Sequence, residues 1–200
     1  MDHFYASIPG WAAFSQLYID AVKRAPSDTP SQFVEVGSWL GRSAALMCVE
    51  IFNSKKPISF ACVDPWTDGG PDLRHTKHYK DLTVQPYEAF LKNTLPVQHL
   101  IKPMRMSSVE ASEHFADHSV DFLMLDGDHS YEAVKADIKA WFPKMKPGGV
   151  MSGDDYLWPG VMDAVKEEFG IQAEHHVKKF PPKGVKDGYL KSASYWWVTL

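Results

Sequence analysis

The sequence predicts a doubly wound α/β fold, a parallel sheet covered by helices on both faces, and three observations carry that expectation. Short β-rich runs alternate with apolar, helix-forming segments along most of the chain, the pattern that packs helices against a parallel sheet through right-handed connections. The β-rich runs stop abruptly at glycine, proline or aspartate. The chain has 200 residues, 44% of them hydrophobic and 23% charged, enough to bury one core without disulfide or metal staples and too few for two full domains. It is read as a single unit, with residues 1–30 an N-terminal helical or lid segment and 31–200 the core.

Ala12 to Arg24 has helix-forming composition, and Pro26, Ser27, Asp28 and Pro30 end it. Gln32 to Val36 is the first strand, Gly37 to Gly41 a turn, and Arg42 to Phe52 an apolar helix. Ile58 to Val63 is the second strand, stopped at Asp64-Pro65. Thr67 to Leu73 is rich in turn formers and precedes a helix from His75 to about Leu95, then a third strand over Val97 to Ile101. Ser107 to Phe115 reads as helix and Val120 to Leu125 as the fourth strand, ending in Asp126-Gly127-Asp128. From Ser130 to Phe142, the apolar residues Tyr131, Val134, Ile138 and Trp141 recur at near-helical spacing. Pro147-Gly148-Gly149 is a turn that feeds a fifth strand, Val150 to Ser152, into Gly153-Asp154-Asp155. A helix from about Gly160 to Phe169 and two strand-like runs, Ile171 to Val177 and Ser192 to Leu200, complete the chain.

Composition narrows the function classes. Lys and Arg number 21 against 25 Asp and Glu, a formal charge of -4, which argues against a protein that works by gripping nucleic-acid phosphates. No run approaches the roughly 18 to 20 apolar residues of a membrane span. The opening MDHFYASIPGWAAF carries an acid where a secretory signal has positive charge. Cys48 and Cys62 lie in apolar runs and read as buried, reduced thiols, so a cytoplasmic address is expected, with no nucleic-acid or membrane partner. Oligomeric state is not legible, although the tryptophan pair in SASYWWVTL could serve a homo-oligomer contact.

In a doubly wound sheet, ligands sit outside the carboxyl ends of the strands. Glu35, Asp64, Asp126, Asp128, Asp154 and Asp155 all stand at such ends, although any one of them could be a turn former or helix cap. Gly37 and Gly41 allow close backbone approach to a ligand, and the following helix offers free N–H groups. The spacing is neither GxGxxG nor a P-loop, which demotes NAD and ATP. Asp64, after the second strand, is where a carboxylate accepts both hydroxyls of a ribose, so a nucleoside-bearing cofactor is expected. Asp126, Asp154 and Asp155 would converge if strands four and five are neighbours, and crowded carboxylates make sense chiefly around a hard cation such as Mg²⁺. His129 is within reach of that cluster and has the intrinsic pKa of a general base, or else it caps the next helix or bonds Asp128. His175, His176, Met104 and Met106 read as structural or solvated.

The stretches FVEVGSWLGRSA, FACVDPW, SSVEAS and VDFLMLDGDHSYEAVKADIKAWFPKMKPGGVMSGDDY closely resemble the class I S-adenosylmethionine-dependent methyltransferases, in the branch called methyltransferase family 24. The likeness runs from about Gln32 to Tyr156, and its functional relatives are the metal-dependent macrolide-sugar O-methyltransferases and, more distantly, catechol O-methyltransferase. It implies a Rossmann-like, seven-stranded sheet with an antiparallel last strand. It further implies that Glu35, Gly37, Gly41 and Ser43 line the methionine side of S-adenosylmethionine, that Asp64 holds the ribose, and that Ser108 and the backbone near Val109 border the adenine. Asp126, beside the cofactor, would ligate Mg²⁺ with Asp154 and Asp155, and His129 would be the base. Catechol enzymes carry asparagine and lysine where this chain has Asp155 and His129, which favours aliphatic hydroxyls. The expected partner is a small-molecule acceptor, a sugar or other vicinal diol.

Acceptor selection falls to Tyr5, Trp11, Phe14, the loop Trp66 to Tyr79 and Tyr156 to Trp158, aromatic positions that serve equally well as core or lid packing. The short segment before the first strand disfavours a large macrolide. The alternatives are a metal-independent methyltransferase of the same fold and a non-catalytic S-adenosylmethionine-binding subunit.

Overall fold

The structure, a computed structural model, describes residues 1–67, 84–179 and 192–200. Seven strands form one sheet: β1 (Ser31–Val36), β2 (Ile58–Val63), β3 (Ile101–Met104), β4 (Val120–Leu125), β5 (Met145–Asp154), β6 (Glu174–Lys179) and β7 (Ser192–Thr199). Their order is β3-β2-β1-β4-β5-β7-β6, with β7 antiparallel to both its neighbours and β1 to β5 parallel. The chain turns from β3-β2-β1 to β4-β5 at β1, so the switch-point crevice opens over the ends of β1 and β4.

The side-chain alternation of the strands builds two apolar layers. Phe33, Phe60, Cys62, Phe122 and Met124 face helices α1 (Ser15–Arg24), α2 (Arg42–Ser54) and α3 (Pro86–Thr94). Val34, Val36, Ala61, Val63, Leu123 and Leu125 face α4 (Ser108–Ser112), α5 (Tyr131–Trp141) and α6 (Pro159–Phe169). Cys48 and Cys62 are buried free thiols, and burial pushes both well up from the ordinary cysteine value, so neither is a reactive thiolate. No helix among the described residues is long and apolar enough to cross a membrane.

Three expectations are corrected. Leu95–Leu100 is a 3₁₀ turn, and the third strand begins at Ile101 instead of Val97. Pro96 fits the first turn of a helix, Val97 is wholly buried, and Pro103 is tolerated because β3 is a sheet edge. The fifth strand begins at Met145 and absorbs the Pro147-Gly148-Gly149 turn as an irregularity, the partner of Val120 being Met145 and that of Phe122 being Val150. The sixth strand begins at Glu174, because Gly170–Gln172 adds a 3₁₀ turn after α6. Residues 68–83 lie outside the described residues, so the expected turn over Thr67 to Leu73 and most of the helix expected from His75 go undescribed; α3 is the described part.

Candidate active site

The β1–α2 turn is set by contacts between strand ends. Gly37 donates its N–H to the Val63 carbonyl at 2.8 Å, and Asp126 donates its N–H to the Val36 carbonyl at 2.8 Å. At Gly37, with φ +88°, an added Cβ would stand 1.9 Å from the Asp126 carbonyl oxygen; at Gly41, with φ +86°, it would stand 2.6 Å from Thr94 Cγ2. Both glycines are therefore required by the protein's own packing, whatever ligand approaches. Trp39, Trp66 and Asp155 also take positive φ, at 39°, 43° and 51°, and all three stand on this rim. Non-glycine residues in that region cost about 1–3 kcal/mol each, and such strain gathers at functional sites.

Asp64 links two of these turns. Its Oδ2 accepts the Trp39 N–H at 2.8 Å and its Oδ1 the Trp66 N–H at 2.6 Å, while the Trp66 indole donates to the Trp39 carbonyl at 2.7 Å. A carboxylate has about four lone-pair sites, so acceptor capacity is left for a ligand hydroxyl. Burial raises the Asp64 pKa, and the two N–H donors work against it.

Glu35 does not reach the surface. It lies beneath the turn with 0% exposure, its Oε2 accepting the Tyr18 hydroxyl at 2.6 Å. Burial pushes its pKa up to about 7, opposed by Tyr18, Ser38 and Ser43. Ser43 is buried in the first turn of α2. On the other side of the rim, Ser108 Oγ accepts the Trp141 indole N–H at 3.0 Å, tying α4 to α5, and Val109 is exposed. Ser108 also lowers the pKa of buried Asp137, which burial raises to about 6.

The pairing of β4 with β5, Leu125 against Gly153, brings Asp126, Asp154, Asp155 and His129 to one corner. His129 Nε2 lies 3.3 Å from Asp155 Oδ2 and 3.7 Å from Asp126 Oδ1, and its ring centroid is 5.0 Å from that of Trp158. Ser130, and not His129, caps α5: its hydroxyl accepts the Ala133 N–H at 3.4 Å, and its own N–H goes to Asp128. Asp154 is buried, and its Oδ1 has no hydrogen-bond partner among the described residues. Burial, then the charges of Asp126 and Asp155, push its pKa up to about 9. Burial also raises Asp126, to about 6, and Asp155, while His129 pulls both down. Among the described residues, no three His, Cys, Asp or Glu side chains form a group set to hold a metal ion. The donor chemistry nevertheless suits a hard cation, whose charge would ionise Asp154 and satisfy its orphaned oxygen.

The aromatic positions divide. Phe14 and Tyr156 are buried, the latter stacked on His175 at 4.5 Å, and Tyr5 packs under Arg42 at 5.7 Å. Trp11, half exposed and stacked on Trp39 at 5.5 Å, and Trp158 are the accessible ones. Trp66 is buried, and the rest of the loop to Tyr79 falls largely outside the described residues. The sequence reading missed Tyr18, Trp39 and Asp137; only the i, i+4 spacing of Phe14 and Tyr18 hints that Tyr18 faces inward.

Residues 34–156 match the methyltransferase domain family, methyltransferase family 24. The chain is 26% identical over 152 residues to uncharacterized protein y4gI of Sinorhizobium fredii, covering 74% of this chain and 15% of that one. It is 31% identical over 157 residues to uncharacterized protein R132 of Acanthamoeba polyphaga mimivirus, covering 75% and 63%. The chain thus spans less than two thirds of the length of both curated relatives. Among solved structures, the SAM-dependent O-methyltransferase TM0748 from Thermotoga maritima matches with a TM-score of 0.63 at 12% identity, covering 96% of this chain and 67% of that one. That likeness shows a shared fold.

Proposed function

The chain belongs to the methyltransferase domain family; from that premise we propose that it is an S-adenosylmethionine-dependent methyltransferase that methylates a hydroxyl oxygen of a small-molecule acceptor with neighbouring oxygens, a sugar or other vicinal diol, with the help of a hard divalent cation such as Mg²⁺. The observation that carries the reading is the position of His129, its Nε2 lying 3.3 Å from Asp155 and 3.7 Å from Asp126 at the switch-point rim. Oxygen acceptors must lose a proton as they attack, and an imidazole held between two carboxylates is suited to take it.

When bound, the cofactor supplies an electrophilic sulfonium methyl and the cation supplies Lewis-acid activation of the acceptor oxygens. Asp126, Asp154 and Asp155 would hold the cation. His129 accepts the hydroxyl proton at Nε2, and the two carboxylates beside it stabilise the imidazolium that results. Asp64, braced by the Trp39 and Trp66 N–H groups, offers its remaining lone pairs to the ribose hydroxyls. Trp158, packed on the His129 ring, and Trp11, stacked on Trp39, offer apolar surface against which an acceptor lies and water is excluded. A metal-independent methyltransferase is the second reading, favoured by the lack of a ready metal-holding group among the described residues.

Calorimetric titration with S-adenosylmethionine tests the cofactor reading first: saturable one-to-one binding is expected, and no binding at millimolar cofactor by folded, ligand-free protein refutes it. Turnover with diol-bearing sugars and phenols then separates the two readings. Activity lost to EDTA and restored by Mg²⁺ supports the cation, and activity that survives EDTA selects the second reading. His129→Ala should lower turnover by roughly 10²-fold; unchanged turnover removes it as the base.

A further inference from the structure

The N-terminal helix lies outside the residues matched by the family, yet it sends one polar group into the interior beneath the cofactor turn. Tyr18 on α1 is wholly buried, its ring 5.0 Å from Phe14 and edge-on to Phe122 at 5.6 Å. These contacts fix the ring, and its hydroxyl donates to Glu35 Oε2 at 2.6 Å. Glu35 is one residue short of the end of β1, on the face that the alternation of the strand assigns to the apolar layer. An acid there costs stability, and neither holding the sheet together nor filling the core requires one. Its second oxygen, Oε1, has no hydrogen-bond partner among the described residues, and neither has the hydroxyl of buried Ser38, although Ser38 and Ser43 favour the ionised form of the carboxyl group. Ser38 belongs to the turn and Ser43 to the first turn of α2, so the carboxyl group faces the underside of the segment that receives the cofactor. That turn is a strained one, with Trp39 in the left-handed region and Gly41 donating its N–H to the Ser38 carbonyl at 2.8 Å.

We infer that Tyr18 is a positioning residue for cofactor binding: its hydroxyl, clamped on Glu35 from outside the sheet, holds the carboxyl group against the Ser38–Ser43 underside of the β1–α2 turn and thereby sets the turn that binds S-adenosylmethionine. The inference rests on the cofactor reading above and adds α1 to the binding site. Without the hydroxyl, the Glu35 side chain keeps no hydrogen bond among the described residues to orient it, and the turn samples conformations that do not bind. The cost then falls on cofactor affinity as well as on stability.

The test is a calorimetric cycle for S-adenosylmethionine binding on the full chain with Tyr18→Phe, Glu35→Leu and the double variant, each checked for folding by its melting curve. Phenylalanine keeps the ring contacts, and leucine suits the apolar layer on which Glu35 sits. Each single variant should weaken binding by about tenfold, the scale of one lost charge-assisted hydrogen bond. The double variant should be no weaker than Glu35→Leu alone, because Tyr18 acts through Glu35. A role confined to stability would lower the melting temperature of Tyr18→Phe and leave its affinity at the wild-type value, which overturns the inference. Additive losses in the double variant also overturn it. Should Tyr18→Phe fail to fold, Glu35→Leu decides alone, wild-type affinity in that variant refuting the inference and weakened binding supporting it. Failure of the wild-type chain to bind is a different result and sinks the cofactor reading itself.

Discussion

A methyl group at position 37 would stand 1.9 Å from the Asp126 carbonyl oxygen, on a backbone with φ +88°. Neither neighbour can yield, because Gly37 bonds the end of β2 and Asp126 the end of β1. Gly37→Ala should therefore cost more than about 3 kcal/mol, from strain and from prising apart the strand ends. Gly148, with φ +82° and nothing within 4 Å of an added Cβ, isolates the backbone component, and Gly148→Ala should cost only about 1–2 kcal/mol. Denaturant unfolding of the two variants checks this, and equal losses would show that the contact with Asp126 is immaterial. The positions of the acids were legible in the sequence, since each stands at the end of a β-rich run that breaks at a turn. Their surroundings were not. That Glu35 is buried under Tyr18 depends on which face of β1 meets α1, and that Asp64 accepts two backbone N–H groups depends on two tryptophans in left-handed conformation, a state their side chains do not advertise.

At the level of elements, α1 is fastened at its C-terminus by a residue from the loop before β2. Lys56 Nζ donates to the carbonyls of Val22, Lys23 and Ala25 at 2.8, 2.7 and 2.6 Å, the open end of the helix and the negative end of its dipole. Lys56→Met keeps the aliphatic stem and should destabilise the protein by about 1–2 kcal/mol. Lys23→Met, whose exposed ammonium stands 3.9 Å from Asp20, should stay within about 0.5 kcal/mol of wild type. Melting curves of the pair decide it, and two equal shifts would mean that the carbonyl clamp contributes nothing of its own. The elements most legible in the sequence were those with an unbroken pattern: the expected Ile58 to Val63 and Val120 to Leu125 are β2 and β4 residue for residue. Where proline or glycine interrupted an apolar run, the boundary shifted. A proline at a sheet edge and a glycine inside an irregular strand leave the same mark in sequence as a turn.

Across the whole molecule, the same burial that builds the site sets how stability depends on pH. Burial raises Glu35 to about 7 and Asp137 to about 6, so the folded chain keeps protons that the unfolded chain releases above about pH 4. Between those values the native state binds more protons than the unfolded state, and stability falls as pH rises, by up to about 3 kcal/mol for Glu35, levelling off above about pH 7. Asp126 and Asp154, also raised by burial, push in the same direction. Asp117 and Glu167, lowered by Lys144 and Lys135, push the other way, but these pairs are exposed and solvent screens them. The ligand-free protein should therefore melt at a higher temperature near about pH 5.5 than near about pH 8. If the three aspartates hold a cation, Mg²⁺ should raise the melting temperature more at the higher pH, where less proton must be displaced from Asp154. Scanning calorimetry at the two pH values, with Mg²⁺ and with EDTA, separates the two effects. A melting temperature that climbs from the lower to the higher pH in EDTA would mean that the buried carboxyl groups are ionised in the native state, with partners strong enough to outweigh their burial.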